Sequence, residues 1–142
     1  MSSGIDAQLR ATFRALADVL IPAAEGMPAA SEVGVHEAVL DRIMALRPDL
    51  SERLLRGLRA ASGQAPQEMA RRLNTEDPDA LSAIGLAAAA AYYMQPRVRE
   101  LIGYPGQENR PGDPDATPEY VANGMLQQVI DRGPIYRPTP KS

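Results

Sequence analysis

The sequence predicts an all-α protein, a compact bundle of about five to six helices with orthogonal or irregular crossings, followed by an extended C-terminal arm. Alanine, the strongest helix former, supplies 23 of the 142 residues. Apolar residues recur at three- and four-residue spacing in successive segments from Ile5 to Tyr92. The 13 prolines and 11 glycines mark the joints of those segments, and the prolines gather toward the C-terminal third. A chain of 142 residues is one domain's worth of sequence. Residues 1–131 are assigned to the helical domain and 132–142 to the arm.

The first helix is expected from Gly4 or Ile5 to about Leu20. Ile5, Leu9, Phe13, Leu16 and Leu20 form its apolar face, with Arg10, Arg14 and Asp18 between them. Pro22 ends it by pushing residue 21 out of the helical region. Ala23 to Ala30 contains Gly26 and Pro28 and reads as a loop. Ser31 is expected to cap the second helix, with Glu32 in its first turn, where a carboxylate suits the positive helix end. Its face continues through Val35, Val39, Ile43 and Leu46. Pro48 interrupts that pattern and opens a third helix through Leu50, Leu54, Leu58 and Ala61, closed by Gly63.

Pro66 opens a shorter fourth helix with Met69, Ala70 and Leu73 inward. Asp77 and Pro78 supply a cap followed by proline at the first helical position. In the fifth helix Leu81, Ile84, Ala87, Ala88, Ala91 and Tyr92 cover one broad face. The run Ala87 to Ala91, with Gly85, makes this helix thin, which places it at the centre of a bundle or against a partner. Beyond Pro96, Arg97 to Ile102 is expected to make one or two helical turns. Gly103 to Gly106 and Arg110 to Pro118 read as loop. Thr117-Pro118-Glu119 is expected to cap a last helix carrying Tyr120, Val121, Met125, Val129 and Ile130, with Asn123-Gly124 placed to break it. From Gly133 onward three prolines in ten residues favour extended backbone.

Composition removes several chemistries. The chain has no cysteine, so a thiolate nucleophile, a redox pair, a zinc–cysteine site and an iron–sulfur cluster are excluded. One histidine leaves little room for a histidine-built metal site. The net charge of -3, the absence of tryptophan and a single phenylalanine argue against a nucleic-acid module. The longest apolar stretch, Ile84 to Met94, has 11 residues and is too short to span a membrane. Met1 to Gly4 carries no secretory signature, so the expected location is cytoplasmic.

Few residues suggest chemistry. Glu32, His36, Glu37 and Asp41 are the nearest approach to a metal cluster, but an isolated His-Glu pair lacks the closing histidine of a zincin, and a solvated helix face is the better reading. Glu76, Asp77 and Asp79 fit helix capping better than acid–base work. Gly103 to Gly112 matches no phosphate-loop pattern. Arg97, Arg99 and Arg110 suit an anion site or, preferably, loop carbonyls and the carboxylates of Glu100 and Glu108. Tyr92 and Tyr93 point about 100° apart on a helix, so one faces the core while the other lies at the rim or under a partner. Ile135, Tyr136 and Arg137, in an arm without acidic residues, suit contact with another protein in preference to an arm folded back on its own domain or a plain tail.

One resemblance runs through these segments. Leu16-Ala17-Asp18-Val19-Leu20-Ile21-Pro22, Ala30-Ser31-Glu32-Val33-Gly34-Val35 and Val39-Leu40-Asp41-Arg42-Ile43 resemble the opening of the gluconate 2-dehydrogenase subunit 3 family. The Tyr92-Tyr93 helix leading to Gly103-Tyr104-Pro105-Gly106 is similar to that family's later region. The likeness spans most of residues 7 to 106. It implies a small, helical, non-catalytic subunit that binds and stabilises a large FAD-containing dehydrogenase of the glucose-methanol-choline type. The chain departs from exported members by lacking a leader and cysteine. The implied partner therefore oxidises the hydroxyl of a sugar or glycoside in the cytoplasm, with no electron delivery to a membrane cytochrome. FAD is expected in the partner, no cofactor or metal in this chain, and no nucleic-acid or membrane partner.

The candidate partner-facing residues are Tyr93, Arg97, Arg99 and Tyr104, joined by Ile135, Tyr136 and Arg137 of the arm. Three rivals stand beside this reading. One is an autonomous small sugar isomerase or lyase with His36, Tyr92 and Arg99 converging on a pocket. Another is an anion- or nucleic-acid-binding regulator using Arg97, Arg99 and the tail. The third is a homo-oligomeric helical scaffold.

Overall fold

The computed structural model describes residues 5–109, 112–113 and 115–135. The chain divides into two compact units between Gly106 and Gln107. Among the described residues every regular element is helical, apart from one isolated antiparallel bridge between Ala24 and Met27. The first unit contains α1 (Ala7–Leu20), a 3-10 turn (Ala30–Val33), α2 (Ala38–Leu46), α3 (Pro48–Ala61), α4 (Pro66–Glu76), α5 (Pro78–Met94) and α6 (Pro96–Leu101). The second contains α7 (Glu119–Ala122) and α8 (Gln127–Arg132). The all-α irregular bundle is as expected, with eight α-helices among the described residues rather than five to six.

The caps explain most helix boundaries. Asp6 accepts the Leu9 backbone N–H at 2.8 Å and starts α1 two residues later than expected, although Ile5 is still buried. Pro48, Pro66, Pro78 and Pro96 each occupy the first turn of a helix, where the missing N–H has no intrahelical partner to lose. Asp77 accepts the Ala80 N–H at 3.1 Å and also binds Arg56 of α3 at 2.6 Å, so the cap of α5 is tied to a neighbouring helix.

The expected second helix is not continuous. Gly34 adopts a left-handed conformation (φ 72) that an α-helix cannot accommodate, and it separates the 3-10 turn from α2. Ser31 does not cap through its side chain; its backbone N–H instead donates to Asp18 of α1 at 2.7 Å. Glu32 accepts the Ala29 N–H at 2.7 Å, which holds the entry to the turn. Val35 is fully buried from this irregular stretch. The last helix is two short ones, broken at Asn123-Gly124 as expected, with Asn123 ending α7 and Gly124 at positive φ. Pro118 precedes α7 and no side chain caps it, so Thr117 does not play the expected role.

The core of the first unit is built around α5, which touches α1, α2, α3, α4, α6 and the 3-10 turn. Ala80, Ala83, Ala87, Ala88 and Ala91 are buried, and their single methyl groups let several helices reach the α5 backbone. Phe13, Leu54, Leu58, Met69 and Val98 bring the bulk from the surrounding helices. The α3–α5 contact is closest at Gly57, where a Cβ would lie 3.0 Å from both Ala80 Cβ and Ile84 Cδ1. Gly57→Val is therefore expected to destabilise the protein by about 1–3 kcal/mol despite removing a helix glycine. A lower urea midpoint at unchanged denaturant slope is the measurement that shows it.

Candidate interaction surface

The outward side of α5 is unusual for a solvent-facing helix. From Leu81 to Met94 it carries no charged residue. Ser82, Leu86, Ala89 and Tyr93, spaced by four, three and four residues, share one face opposite the buried alanines. Leu86 is 46% exposed and Tyr93 57% exposed. Gly85 lies beside this face, with Leu20 of α1 at 3.9 Å from the position of its absent Cβ, and Leu20 is itself partly open to solvent.

The tyrosine pair divides as helix geometry requires. Tyr92 is buried, and its hydroxyl donates to the Pro28 carbonyl at 2.7 Å, which fastens the 24–28 turn to the end of α5. Burial pushes the Tyr92 phenol above its ordinary range, and Tyr93 and Glu32 act in the same sense against Arg97. Tyr93 meets Tyr92 edge to face with ring centres 5.6 Å apart and turns its other surface to solvent.

Below Tyr93, α6 and the following loop form a second cluster. The Arg99 guanidinium lies 5.4 Å from the centre of the Tyr104 ring, and the Tyr104 N–H donates to the Arg99 carbonyl at 2.8 Å. Gly106 has φ 101, and a Cβ there would lie 2.8 Å from Arg99 Nη2, so the glycine leaves room for the guanidinium. Arg99 thus shapes the 103–106 loop through Tyr104, a role that carbonyl contacts or acidic pairing alone did not anticipate. Arg97 is exposed, as are Leu101, Ile102 and Tyr104.

In the second unit neither α7 nor α8 contains a buried residue. Tyr120, Val121, Met125, Val129 and Ile130 are all exposed, and Ile135 is 74% exposed. Tyr136, Arg137 and Arg110 lie outside the described residues.

No catalytic constellation is brought together at the sequence-selected polar residues. His36 lies in a turn before α2 rather than on a helix with Glu32 and Glu37, because Gly34 interrupts the chain there. Among the described residues no group of three or more acidic or histidine side chains is arranged to hold a metal ion. Tyr92 spends its hydroxyl on Pro28, and Arg99 rests on Tyr104. Asp77 caps α5 and Glu76 pairs with Arg72 at 2.8 Å. A cavity of about 180 Å³ between α1 and the α3–α4 elbow is lined by Leu16, Met69, Thr12 and Gln64, and includes none of His36, Tyr92 or Arg99. Leu86 escaped the sequence reading as a surface residue; the missing charge around all sides of α5 was the signal that could have found it.

The family model described as gluconate 2-dehydrogenase subunit 3 matches residues 7–124, from the start of α1 through α7. No curated protein and no solved structure matches the chain. The two neighbouring tyrosines separate fold from surface. Tyr92→Phe is expected to cost about 1–3 kcal/mol by leaving the Pro28 carbonyl unsatisfied. Tyr93→Phe should stay within about 0.5 kcal/mol of the parent in the same thermal and urea unfolding experiments.

Proposed function

The chain belongs to the gluconate 2-dehydrogenase subunit 3 family, a family of small accessory subunits, and from that premise we propose that it binds and stabilises a large FAD-dependent dehydrogenase of the glucose-methanol-choline type. The subunit itself is non-catalytic, and the chemistry belongs to the larger chain. The reaction assigned to that partner is oxidation of a sugar or glycoside hydroxyl, with its flavin taking the hydride, in the cytoplasm. Among the described residues no helix is long and apolar enough to cross a membrane.

The observation that carries this reading is the outer face of α5 beyond Asp79 of its first turn, which is uncharged from Ser82 to Tyr93. A helix stretch without charge on any side, as α5 is from Leu81 to Met94, suits a protein interior, and here Leu86 and Tyr93 leave one side in water. Covering that face with a second protein resolves the conflict. Tyr93, Arg97, Arg99 and Tyr104 would then supply the aromatic and arginine anchors on which binding energy concentrates. The exposed apolar residues of α7 and α8 support a further contact from the second unit, continued by Ile135, Tyr136 and Arg137.

Purification of the tagged protein from its native cells, followed by native mass spectrometry and an absorbance scan, tests the proposal. The expected result is a stoichiometric larger companion with a visible flavin band. A colourless 15.3 kDa monomer or a homodimer would overturn it. Leu86→Glu should abolish co-purification while leaving the thermal transition of the isolated chain in place, since the residue contributes little to the core. Tyr136→Ala with Arg137→Ala should weaken the complex, and unchanged affinity by calorimetry would remove the arm from the interface.

A further inference from the structure

His36 is the chain's one histidine and sits in the link between the 3-10 turn and α2. Its Nδ1 is buried and has no hydrogen-bond partner among the described residues. A neutral imidazole tolerates that position by carrying its proton on Nε2 and leaving Nδ1 bare. An imidazolium has N–H on both nitrogens, so the charged ring would bury a donor without an acceptor.

The link is held to α1 by Arg10. Its Nη1 donates to the His36 carbonyl at 2.7 Å and to the Glu37 carbonyl at 3.1 Å, and its Nη2 binds Asp41 of α2 at 2.8 Å. Four charged groups act on the ring through their charge: Arg10, Arg14 and Asp18 from α1, and Glu37 from the link itself. The two arginines oppose a proton on His36, and the two carboxylates favour it. Burial weighs most, followed by Arg14, and together they hold His36 below the ordinary histidine value of 6.5.

We propose that the Gly34–Glu37 link is an acid-released latch: a proton on His36 Nδ1 creates a buried, unmatched N–H beside the Arg10 contacts, and the start of α2 detaches from α1. The direction follows from linkage. The folded chain disfavours the proton while the unfolded chain accepts it at 6.5. The stabilisation is therefore complete above that value and is lost as pH falls through it toward the lower folded value. With one histidine and no cysteine, no other side chain of the sequence has its ordinary titration in this window. The inference does not depend on the identity of any partner.

Amide hydrogen exchange of the full chain at about pH 7.5 and about pH 5.5, corrected for intrinsic exchange, reads the latch directly. Protection in α2 should fall by roughly three- to tenfold at the lower pH while protection in α4 and α5 holds. In His36→Gln the pH dependence in α2 should vanish. Equal protection in α2 at both pH values, or the same loss in His36→Gln, overturns the proposal. Should that variant not fold, the ring resonances of the parent still decide. A His36 midpoint below that of an unfolded reference peptide is required, and one at or above it overturns the latch.

Discussion

How closely neighbouring backbones can approach α5 governs the architecture of the first unit. Leucines in place of Ala83, Ala87, Ala88 and Ala91 would push the surrounding helices outward, and the contacts that α5 makes with five other helices would not fit around one axis. Gly57 extends the same constraint into α3, because a close α3–α5 crossing needs a residue without Cβ on one side when Ala80 and Ile84 occupy the other. The thin central helix transfers the task of filling space to its neighbours. Phe13, Leu54, Leu58 and Met69 are all fully or nearly fully buried as a result.

Around that centre, polar groups define where the joints go rather than how strongly the bundle holds. Asp18 receives the Ser31 N–H, Arg10 grips the carbonyls before α2, and Tyr92 fastens the turn at Pro28. Each bond crosses from one element to an irregular link whose backbone groups would otherwise lack partners. The ion pairs of Arg47 with Asp49 and of Arg72 with Glu76 are exposed, short-range in sequence and of little weight for stability. Asp77 differs because one carboxylate both caps α5 and meets Arg56, which joins helix start and helix packing.

The same economy of side chains leaves a chain with few groups suited to chemistry and several exposed apolar side chains on α5 to α8. An accessory subunit must present residues that hold a larger protein without competing for its substrate. The outer side of α5, with Leu86 and Tyr93 exposed, is the proposed place for that contact. The second unit shows the feature in stronger form, since its two helices have apolar side chains but no buried residue. A segment of that kind gains little from its own core, and contact with another surface is where its apolar groups would contribute.

Much of this was legible in the residues. Pro48, Pro66, Pro78 and Pro96 mark helix starts through fixed φ and a missing donor, which are local properties that no tertiary contact needs to supply. The apolar spacing through α1, α3 and α5 assigned their inner faces for the same reason, except at Leu20, which ends α1 exposed. Gly34 was visible too, but its consequence was not. A glycine within an apolar pattern is compatible with a continuous helix, and here contacts from Asp18 and Arg10 of α1 accompany the broken form. The apolar spacing of α5 put Tyr92 on its inner face and Tyr93 off it, yet only packing supplied the partner of the Tyr92 hydroxyl, because Pro28 arrives from 64 residues away to accept it. The chain by itself determined the helical class, the proline-marked starts of α3 to α6 and the poverty of catalytic groups, all consequences of local stereochemistry and residue inventory. Tertiary structure alone decided how much of the remaining side of α5 stays open, with Leu86 and Tyr93 exposed, since that depends on where the other helices stop covering it.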